Sequence, residues 1–351
     1  MRVVVTGATG NVGTSLLQAL ASDDDVTSVV GIARRRPQLT LPKVEWAEAD
    51  VVSSNLAHHF AGADAVVHLA WAIQPSHDLD RLWRINVEGS SRVFRAVAEA
   101  GVASLVHASS VGVYSPGPKD RKIDESWPTD GVATSFYSRH KAEVERRLDR
   151  FEREQARVRV VRLRPALIFK RESASEQRRL FAGPLFPGAL AHRGAIPIVP
   201  DIPGLRFQAV HSYDVGDTYR LAVKSDVRGP FNIAADPVLD PQELGRILGA
   251  RPVPLARGVA RVAAGVSWRL RLQPTPTGWL DLALAVPLLD PSRAQAELSW
   301  TPQHTAENAI RDVLAGLREG AGLDTPPLAP HTGGRFRGRE FRTRVGGEEG
   351  A

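Results

Sequence analysis

The fold follows from the stretch Val3-Val4-Val5-Thr6-Gly7-Ala8-Thr9-Gly10-Asn11-Val12-Gly13. Its three valines predict a buried strand, and the glycine-rich segment after them opens a helix near residues 15–21. Gly7 permits a tight turn, Gly10 lets the backbone come close to a pyrophosphate, and Gly13 allows the helix to pack closely on the strand. Unpaired N–H groups at the helix N-terminus attract phosphates. At the start of a strand–helix–strand pattern, this stretch predicts dinucleotide binding.

Short apolar runs alternate with helical patterns over the first half of the chain. Strands are predicted at 29–32, 65–69, 105–108 and 158–163, and a helix at 85–100. Continuous Val, Leu and Ile runs separated by helices predict an α/β fold, a Rossmann-type doubly wound parallel sheet of about seven strands. We expect this domain to hold residues 1–165 plus about 205–235. A smaller, mainly helical substrate lobe is expected at about 166–204 plus 236–323, and a flexible tail at 324–351.

Composition excludes several classes of protein. The 351 residues are 43% hydrophobic and 24% charged, as in globular chains. The absence of cysteine excludes disulfides and thiolate metal sites, and no histidine spacing matches a zinc motif, so we expect no metal. No apolar run has the length of a signal peptide core or a membrane span, which favours a cytoplasmic protein. A net charge of +6 without a groove-reading motif gives no reason to expect a nucleic-acid partner.

Further motifs follow the glycine-rich turn along the chain. They are Asp50-Val51, the strand end His68-Leu69-Ala70, the segment Asn86-Val87-Glu88-Gly89, the pair Arg164-Pro165, and Val210-His211 with Asp214-Val215. Together with the G-x-x-G-x-x-G spacing of the turn, they span residues 1–235 approximately. In this order they resemble the extended short-chain dehydrogenase/reductase family, the NAD-dependent epimerase/dehydratase group.

The resemblance implies a nicotinamide dinucleotide and the residues that hold it. Asp50 stands where the family contacts adenine, and residues 66–70 form the strand and turn beside the cofactor. Trp71 is large where many relatives have a small residue, so we expect it to narrow the pocket. The residues expected at the cofactor are Gly7, Thr9, Gly10, Asn11, Val12, Gly13, Arg34, Asp50, Val51, Leu69, Ala70, Trp71, Asn86, Tyr137, Lys141 and Pro165.

The end of the second strand bears on the choice of cofactor. An enzyme that prefers NAD usually has an acidic residue there, which binds the ribose 2′-hydroxyl. This sequence has Ala33, followed by Arg34, Arg35 and Arg36. A guanidinium can form paired hydrogen bonds with a 2′-phosphate. We therefore expect a preference for NADP(H), with NAD as the alternative if the arginines only form a solvated loop.

A Y-x-x-x-K pattern at Tyr137-Ser138-Arg139-His140-Lys141 opens a helix after the fifth strand. Residues four apart share a helix face, so we expect the Lys141 ammonium to lie near the Tyr137 phenol and to lower its pKa. The resemblance implies that Tyr137 is the general acid/base and that Lys141 also holds the nicotinamide ribose. It also implies that the Ser110 hydroxyl orients the substrate oxygen.

Three functions are compatible with these residues. The first is an oxidoreductase acting on a carbonyl/alcohol pair, the second an epimerase of a sugar or nucleotide sugar, and the third a non-catalytic NADP-sensing regulator. A regulator that only senses NADP has no chemical need for Tyr137 and Lys141, so the presence of both residues argues against that function. The family's dehydratases carry an Asp-Glu pair immediately after Ser110, where this chain has Val111-Gly112, so sugar-type dehydration is disfavoured. We expect an NAD(P)-dependent oxidoreductase.

The partners are predicted less directly. We expect a small-molecule substrate, and the arginines that are candidates for binding a substrate diphosphate are Arg171, Arg178, Arg179 and Arg193. Relatives commonly dimerise through two helices that correspond here to residues 86–100 and 137–154. The second of these helices is highly charged, which disfavours an obligate apolar interface, but a homodimer remains our expectation.

Overall fold

The structure, a computed structural model, describes residues 1–183, 185 and 194–330. Its strands are β1 (Arg2–Thr6), β2 (Ser28–Ala33), β3 (Val44–Glu48), β4 (Ala65–His68), β5 (Ser104–Ala108), β6 (Lys122–Ile123), β7 (Arg159–Pro165), β8 (Leu167–Phe169), β9 (Ile198–Asp201), β10 (Phe207–His211), β11 (Gly229–Ile233), β12 (Ala235–Leu239), β13 (Arg251–Pro254) and β14 (Leu288–Leu289). Its α-helices are α1 (Asn11–Ala21), α2 (Leu56–Phe60), α3 (Leu79–Trp83), α4 (Gly89–Glu99), α5 (Phe136–Glu154), α6 (Ala174–Gln177), α7 (Ser212–Lys224), α8 (Pro241–Leu248), α9 (Arg257–Arg269), α10 (Thr277–Ala285), α11 (Ser292–Leu298) and α12 (Ala306–Glu319).

The central sheet has seven strands in the order β11-β7-β5-β4-β1-β2-β3. Every neighbouring pair is parallel, which confirms the predicted Rossmann-type sheet. The chain crosses from β1 outward to β3 and then back to β4 on the other side of β1. This reversal places the carboxyl ends of β1 and β4 next to each other, at the point where doubly wound sheets bind ligands.

Side chains from β1 enter both layers of the core. Val3 and Val5 pack with Leu16 of α1 and Val215 of α7, whereas Val4 packs on the opposite face with Val97 of α4. All six side chains are fully buried. Alternate residues of a strand point to opposite faces, so this one strand holds helices on both sides of the sheet.

A second lobe contains more strand than the sequence indicates. β10 pairs in parallel with β8 and antiparallel with β12, and β9 pairs with β13. β10 therefore lies in a separate three-stranded sheet, although the sequence assigns it to the dinucleotide-binding domain. β11, and not β10, is the strand from the later part of the chain that joins the central sheet. Within the described ranges, no helix is long and apolar enough to cross a membrane.

Residues 324–330 are packed against the rest of the structure. The Thr325 hydroxyl donates to the Thr9 carbonyl at 2.8 Å, and the Leu328 side chain is fully buried. The predicted start of the flexible tail, residue 324, is therefore too early. A buried hydrogen bond and the buried Leu328 side chain hold residues 324–330 on the glycine-rich turn. The rest of that prediction, residues 331–351, lies outside the described residues.

Candidate active site

The glycine-rich turn touches the end of β4. Gly7 has φ of +72°, a conformation that favours glycine, and a Cβ atom there would stand 2.6 Å from the backbone nitrogen of Ala70. A Cβ atom on Gly13 would collide with the Gly7 carbonyl oxygen. The two glycines thus let the first turn of α1 and the ends of β1 and β4 come together. The structure brings Gly7 and Ala70, both expected at the cofactor, into one place.

The N-terminus of α1 fits a phosphate group. Among the described residues, no side chain caps this helix, whose N-cap is Gly10. The side-chain oxygen of Asn11 is buried and has no hydrogen-bond partner among the described residues. The side-chain nitrogen of Asn11 donates to the Ile168 carbonyl at 3.2 Å. A Cβ atom on Gly10 would meet only the Gly7 carbonyl oxygen, at 3.6 Å. Uncapped N–H groups on an open turn suit the pyrophosphate of a dinucleotide.

The end of β2 carries the residues expected to select the cofactor. Ala33 is buried, and Arg34, Arg35 and Arg36 are exposed directly after it. The Ala49 backbone nitrogen donates to the Ala33 carbonyl at 3.0 Å, which brings the neighbouring residue Asp50 to the same edge of the sheet. Cationic side chains therefore lie where NAD-preferring enzymes place a carboxylate.

Asn86 holds the loop after β4 in place. Its amide nitrogen donates to the Ala72 carbonyl, and its oxygen accepts from the Ala72 nitrogen, both at 2.8 Å. The side chain is fully buried, and both ends of its amide are used in these two bonds. Asn86, expected at the cofactor, therefore acts in this structure by positioning the backbone beside Trp71. The motif alone does not show this role, because it depends on a contact across 14 residues.

Ser110 and Tyr137 come together at the carboxyl end of β5. The Ser135 hydroxyl caps α5 by accepting from the Ser138 backbone nitrogen, which places Tyr137 in the first turn of the helix. Ser110 accepts from the Gly112 nitrogen at 3.0 Å and is hydrogen-bonded to the Tyr137 phenol. A Cβ atom on Gly112 would lie 2.8 Å from Cε1 of Tyr137, so only glycine leaves room for the ring.

The pKa of Tyr137 shifts in the direction opposite to the one expected from the sequence. Burial raises the pKa to about 12, and the hydrogen bond from Ser110 opposes this shift. The expectation that Lys141 lowers the pKa is wrong for this structure. The Lys141 ammonium lies 5.8 Å from the centre of the Tyr137 ring, and at that distance it does not offset the cost of a buried phenolate.

Lys141 is buried beneath the indole of Trp71. Its Nζ atom donates to the Ala108 carbonyl at 2.7 Å and lies 3.6 Å from the centre of the Trp71 ring. Burial lowers the pKa of Lys141 to about 7, while the charge of Glu145 opposes this change. The structure thus joins three predicted site residues, Tyr137, Lys141 and Trp71, in one contact group.

Glu145 is a residue that the sequence analysis misses. It lies one helical turn after Lys141 and forms a buried ion pair with Arg164 of β7, with Nη2 and Oε2 2.6 Å apart. Ser109 donates to the same carboxylate at 2.5 Å. Arg164 and the surrounding hydrogen bonds hold the pKa of Glu145 below its usual range, against the effect of burial. The sequence did contain a pattern that could have identified Glu145, because residues 137, 141 and 145 are each four apart and therefore share one face of α5.

Comparison with known proteins gives the family. Residues 3–234 match the NAD dependent epimerase/dehydratase family. The chain belongs to this family. The predicted resemblance is thereby confirmed.

Individual relatives of the epimerase/dehydratase family extend the match beyond residue 234. An uncharacterised protein of Mycobacterium tuberculosis is 28% identical over 329 residues; these cover 92% of this chain but 31% of that protein, so the chain spans about a third of its length. A 3-beta-hydroxysteroid dehydrogenase of Mycolicibacterium neoaurum is 24% identical over 341 residues, covering 89% and 90% of the two chains. The fold matches the Thermus thermophilus UDP-glucose 4-epimerase complex with NAD, with a TM-score of 0.66, 19% identity, and coverage of 91% and 99%.

Aromatic rings surround the tyrosine of this epimerase/dehydratase site. The ring centre of Tyr137 lies 5.9 Å from that of Trp71 and 4.9 Å from that of Trp279, which comes from α10. Phe181 packs edge-on against Trp279 at 5.0 Å. The second lobe thus adds apolar walls to a site whose polar groups come from the central sheet.

The arginines considered for a substrate diphosphate are largely engaged elsewhere. Arg171 forms an ion pair with Glu319 of α12. Arg178 donates to the Gly183 carbonyl at 3.1 Å, and Arg179 donates to the Pro327 carbonyl. Arg193, the fourth candidate, lies outside the described residues. In this member of the family, the three described candidates serve the packing of the second lobe.

Proposed function

We propose that this chain is an NADP(H)-dependent oxidoreductase that interconverts an apolar ketone and its secondary alcohol. The observation that carries the proposal is the aromatic enclosure of Tyr137 by Trp71 and Trp279. Pockets that bind small molecules are mainly apolar, with a few polar groups that orient the ligand. Here Ser110 and Tyr137 are those polar groups, so the site favours a substrate with one carbonyl on an otherwise apolar skeleton. The similarity to a hydroxysteroid dehydrogenase supports this class of substrate.

The chain's own residues supply orientation and a proton. The Ser110 hydroxyl accepts a hydrogen bond from the Gly112 N–H and contacts the Tyr137 phenol, so it would turn its hydrogen from the phenol to the oxygen of a bound substrate. The raised pKa of Tyr137, about 12, keeps the phenol protonated at neutral pH, as a general acid requires. Lys141, one helical turn after Tyr137 and with its pKa lowered to about 7, would return the proton to the phenol. When bound, the nicotinamide supplies or accepts the hydride.

The glycine-rich turn and α1 would hold the cofactor pyrophosphate, and Lys141 the nicotinamide ribose. The exposed arginines after Ala33 support a preference for the 2′-phosphate of NADP(H). We place the protein in the cytoplasm, because its dinucleotide substrate is intracellular and it has no cysteine. We also retain a homodimer through α4 and α5 as a proposal; light scattering at micromolar concentration should give twice the chain mass, and a monomeric mass would overturn it.

Two features argue against the family's sugar chemistry. The contact between Gly112 and Tyr137 leaves no space for a carboxylate side chain at position 112, which disfavours dehydration. The engagement of Arg171, Arg178 and Arg179 in the second lobe disfavours a substrate diphosphate. Both features leave reduction of an apolar carbonyl unaffected.

The test is turnover of a panel of steroidal, polycyclic and aliphatic ketones and of nucleotide sugars, followed by NADPH absorbance and product analysis. We expect stoichiometric NADPH consumption with at least one apolar ketone. Conversion of a nucleotide sugar without net change in cofactor would identify an epimerase instead. If no compound reacts although NADPH binds, the proposed substrate class is wrong. The matched control is Tyr137→Phe, which keeps the ring and removes the acid.

A further inference from the structure

Helix α9 turns an apolar face outward. Val259, Ala263, Val266 and Leu270 are spaced as neighbours on one face of a helix, and Val262 flanks them. The valines at 259, 262 and 266 are 58%, 67% and 50% exposed, and Leu270 is 64% exposed. A surface helix normally directs such a face to the core, so an exposed one indicates an interaction surface.

The opposite face of α9 fixes its place in the fold. Trp268 stacks on His77 with ring centres 4.2 Å apart, and its indole nitrogen donates to the Ser76 hydroxyl at 3.1 Å. Ala260 is buried. These contacts attach the inner face of α9 to the loop between β4 and α3, the loop that carries Trp71.

The sequence around α9 is rich in arginine. From Glu243 to Asp281 the sequence contains no other acidic residue, whereas it contains six arginines. Those within and next to the helix are Arg251, Arg257, Arg261, Arg269 and Arg271. Arg251, Arg257 and Arg269 are exposed. Arg261 is paired with the Asp281 carboxylate of α10, whereas the exposed Arg251, Arg257 and Arg269 flank the exposed valine and leucine side chains. This combination complements a surface that carries negative charge above an apolar layer.

We propose that α9 docks this protein on the surface of an anionic lipid bilayer, with the face formed by Val259, Val262, Ala263, Val266 and Leu270 inserted at the headgroup level. A basic amphipathic helix that lies in the interface combines burial of apolar side chains with attraction to anionic lipids. The docking itself does not depend on the proposed activity, because it rests on α9 alone.

The experiment is flotation of the purified full chain with vesicles of phosphatidylglycerol and phosphatidylcholine in equal amounts, and with phosphatidylcholine alone. We expect binding to the anionic vesicles, weakened by high salt, and little binding to the neutral ones. The double variant Val262→Gln, Val266→Gln changes no charge and should reduce the partition coefficient at least tenfold. Arg269→Gln should reduce it by about fivefold, whereas Arg150→Gln, an equal charge loss on α5, should leave it unchanged.

Melting temperatures of all variants should match that of the wild type, because the substituted side chains are exposed. Absence of wild-type binding to anionic vesicles would overturn the proposal. So would equal binding by the valine double variant, which would place the contact on another surface. A dimer that dissociates in the valine variant, without vesicle binding by the wild type, would identify a second copy of this chain as the occupant.

Discussion

Replacing Trp71 with alanine uncovers the Lys141 ammonium. In the structure the indole covers this group, with Nζ 3.6 Å from the ring centre. The family resemblance assigns the same ammonium to the nicotinamide ribose, so the indole has to leave Lys141 before the ribose can bind it. A desolvated cation–π contact contributes about 2 kcal/mol, which corresponds to about 30-fold in an equilibrium constant. We therefore expect Trp71→Ala to bind NADPH about 30-fold more tightly than the wild type.

Calorimetric titration with NADPH measures this effect, and a second variant isolates its cause. In a Lys141→Met background there is no ammonium to cover, so Trp71→Ala should bring no gain in affinity. Thermal unfolding serves as the control for folding, since loss of the indole leaves a cavity. Weaker NADPH binding by Trp71→Ala would refute the reasoning, because it would mean that the indole supports the cofactor. An equal gain in both backgrounds would refute the role of Lys141.

Four other predictions concern the site and its supports. Tyr137→Phe should lower turnover by about 10²–10⁴-fold and leave NADPH affinity unchanged, as measured by steady-state kinetics and titration. Since the pKa of Lys141 is lowered to about 7, its ammonium is lost as the pH rises through 7; kcat/KM for ketone reduction should fall there, and Lys141→Arg should abolish this limb of the pH profile. Arg164→Met removes the closer of the two arginines that pair with the buried Glu145 carboxylate and leaves Arg162 at 3.2 Å, so it should lower the free energy of unfolding by about 3 kcal/mol in a urea titration. Arg34→Ala should weaken NADPH binding by about tenfold or more and leave NADH binding unchanged, if the guanidinium holds the 2′-phosphate.

The parts of the fold that follow from local pattern were predictable from the sequence. Val3–Val5 with the glycines that follow, and the Tyr137/Lys141 spacing, are contained in short stretches, so residue type and spacing suffice. Strand β3 was missed because it lies at the sheet edge, where its residues are only partly buried and form no continuous apolar run. The pairing of β10 with β8 and β12 was not predictable, since apolar runs do not specify partners.

In the candidate site, too, local patterns were predictable from the sequence and contacts between distant segments were not. Motifs predict Ser110, Tyr137 and Lys141 as site residues, but the contact of Trp71 with Lys141 depends on how the end of β4 meets α5. The pKa of Tyr137 could not be derived from helix spacing, because burial outweighs the nearby charge. The ion pair of Glu145 with Arg164 joins groups that are separated in the chain, so their burial becomes visible only in the folded protein.

The close contact between Gly112 and the Tyr137 ring also bears on how this scaffold can evolve or be redesigned. A Cβ atom at position 112 would stand 2.8 Å from Cε1 of the ring, so even alanine displaces Tyr137, the proposed general acid. The family's dehydratases need a carboxylate in this segment. Introducing their acidic pair at Val111 and Gly112 would therefore remove the proposed reductase activity before a dehydratase activity could appear. A path from this enzyme to an eliminating one has to move α5 first, which separates the two activities by several simultaneous changes.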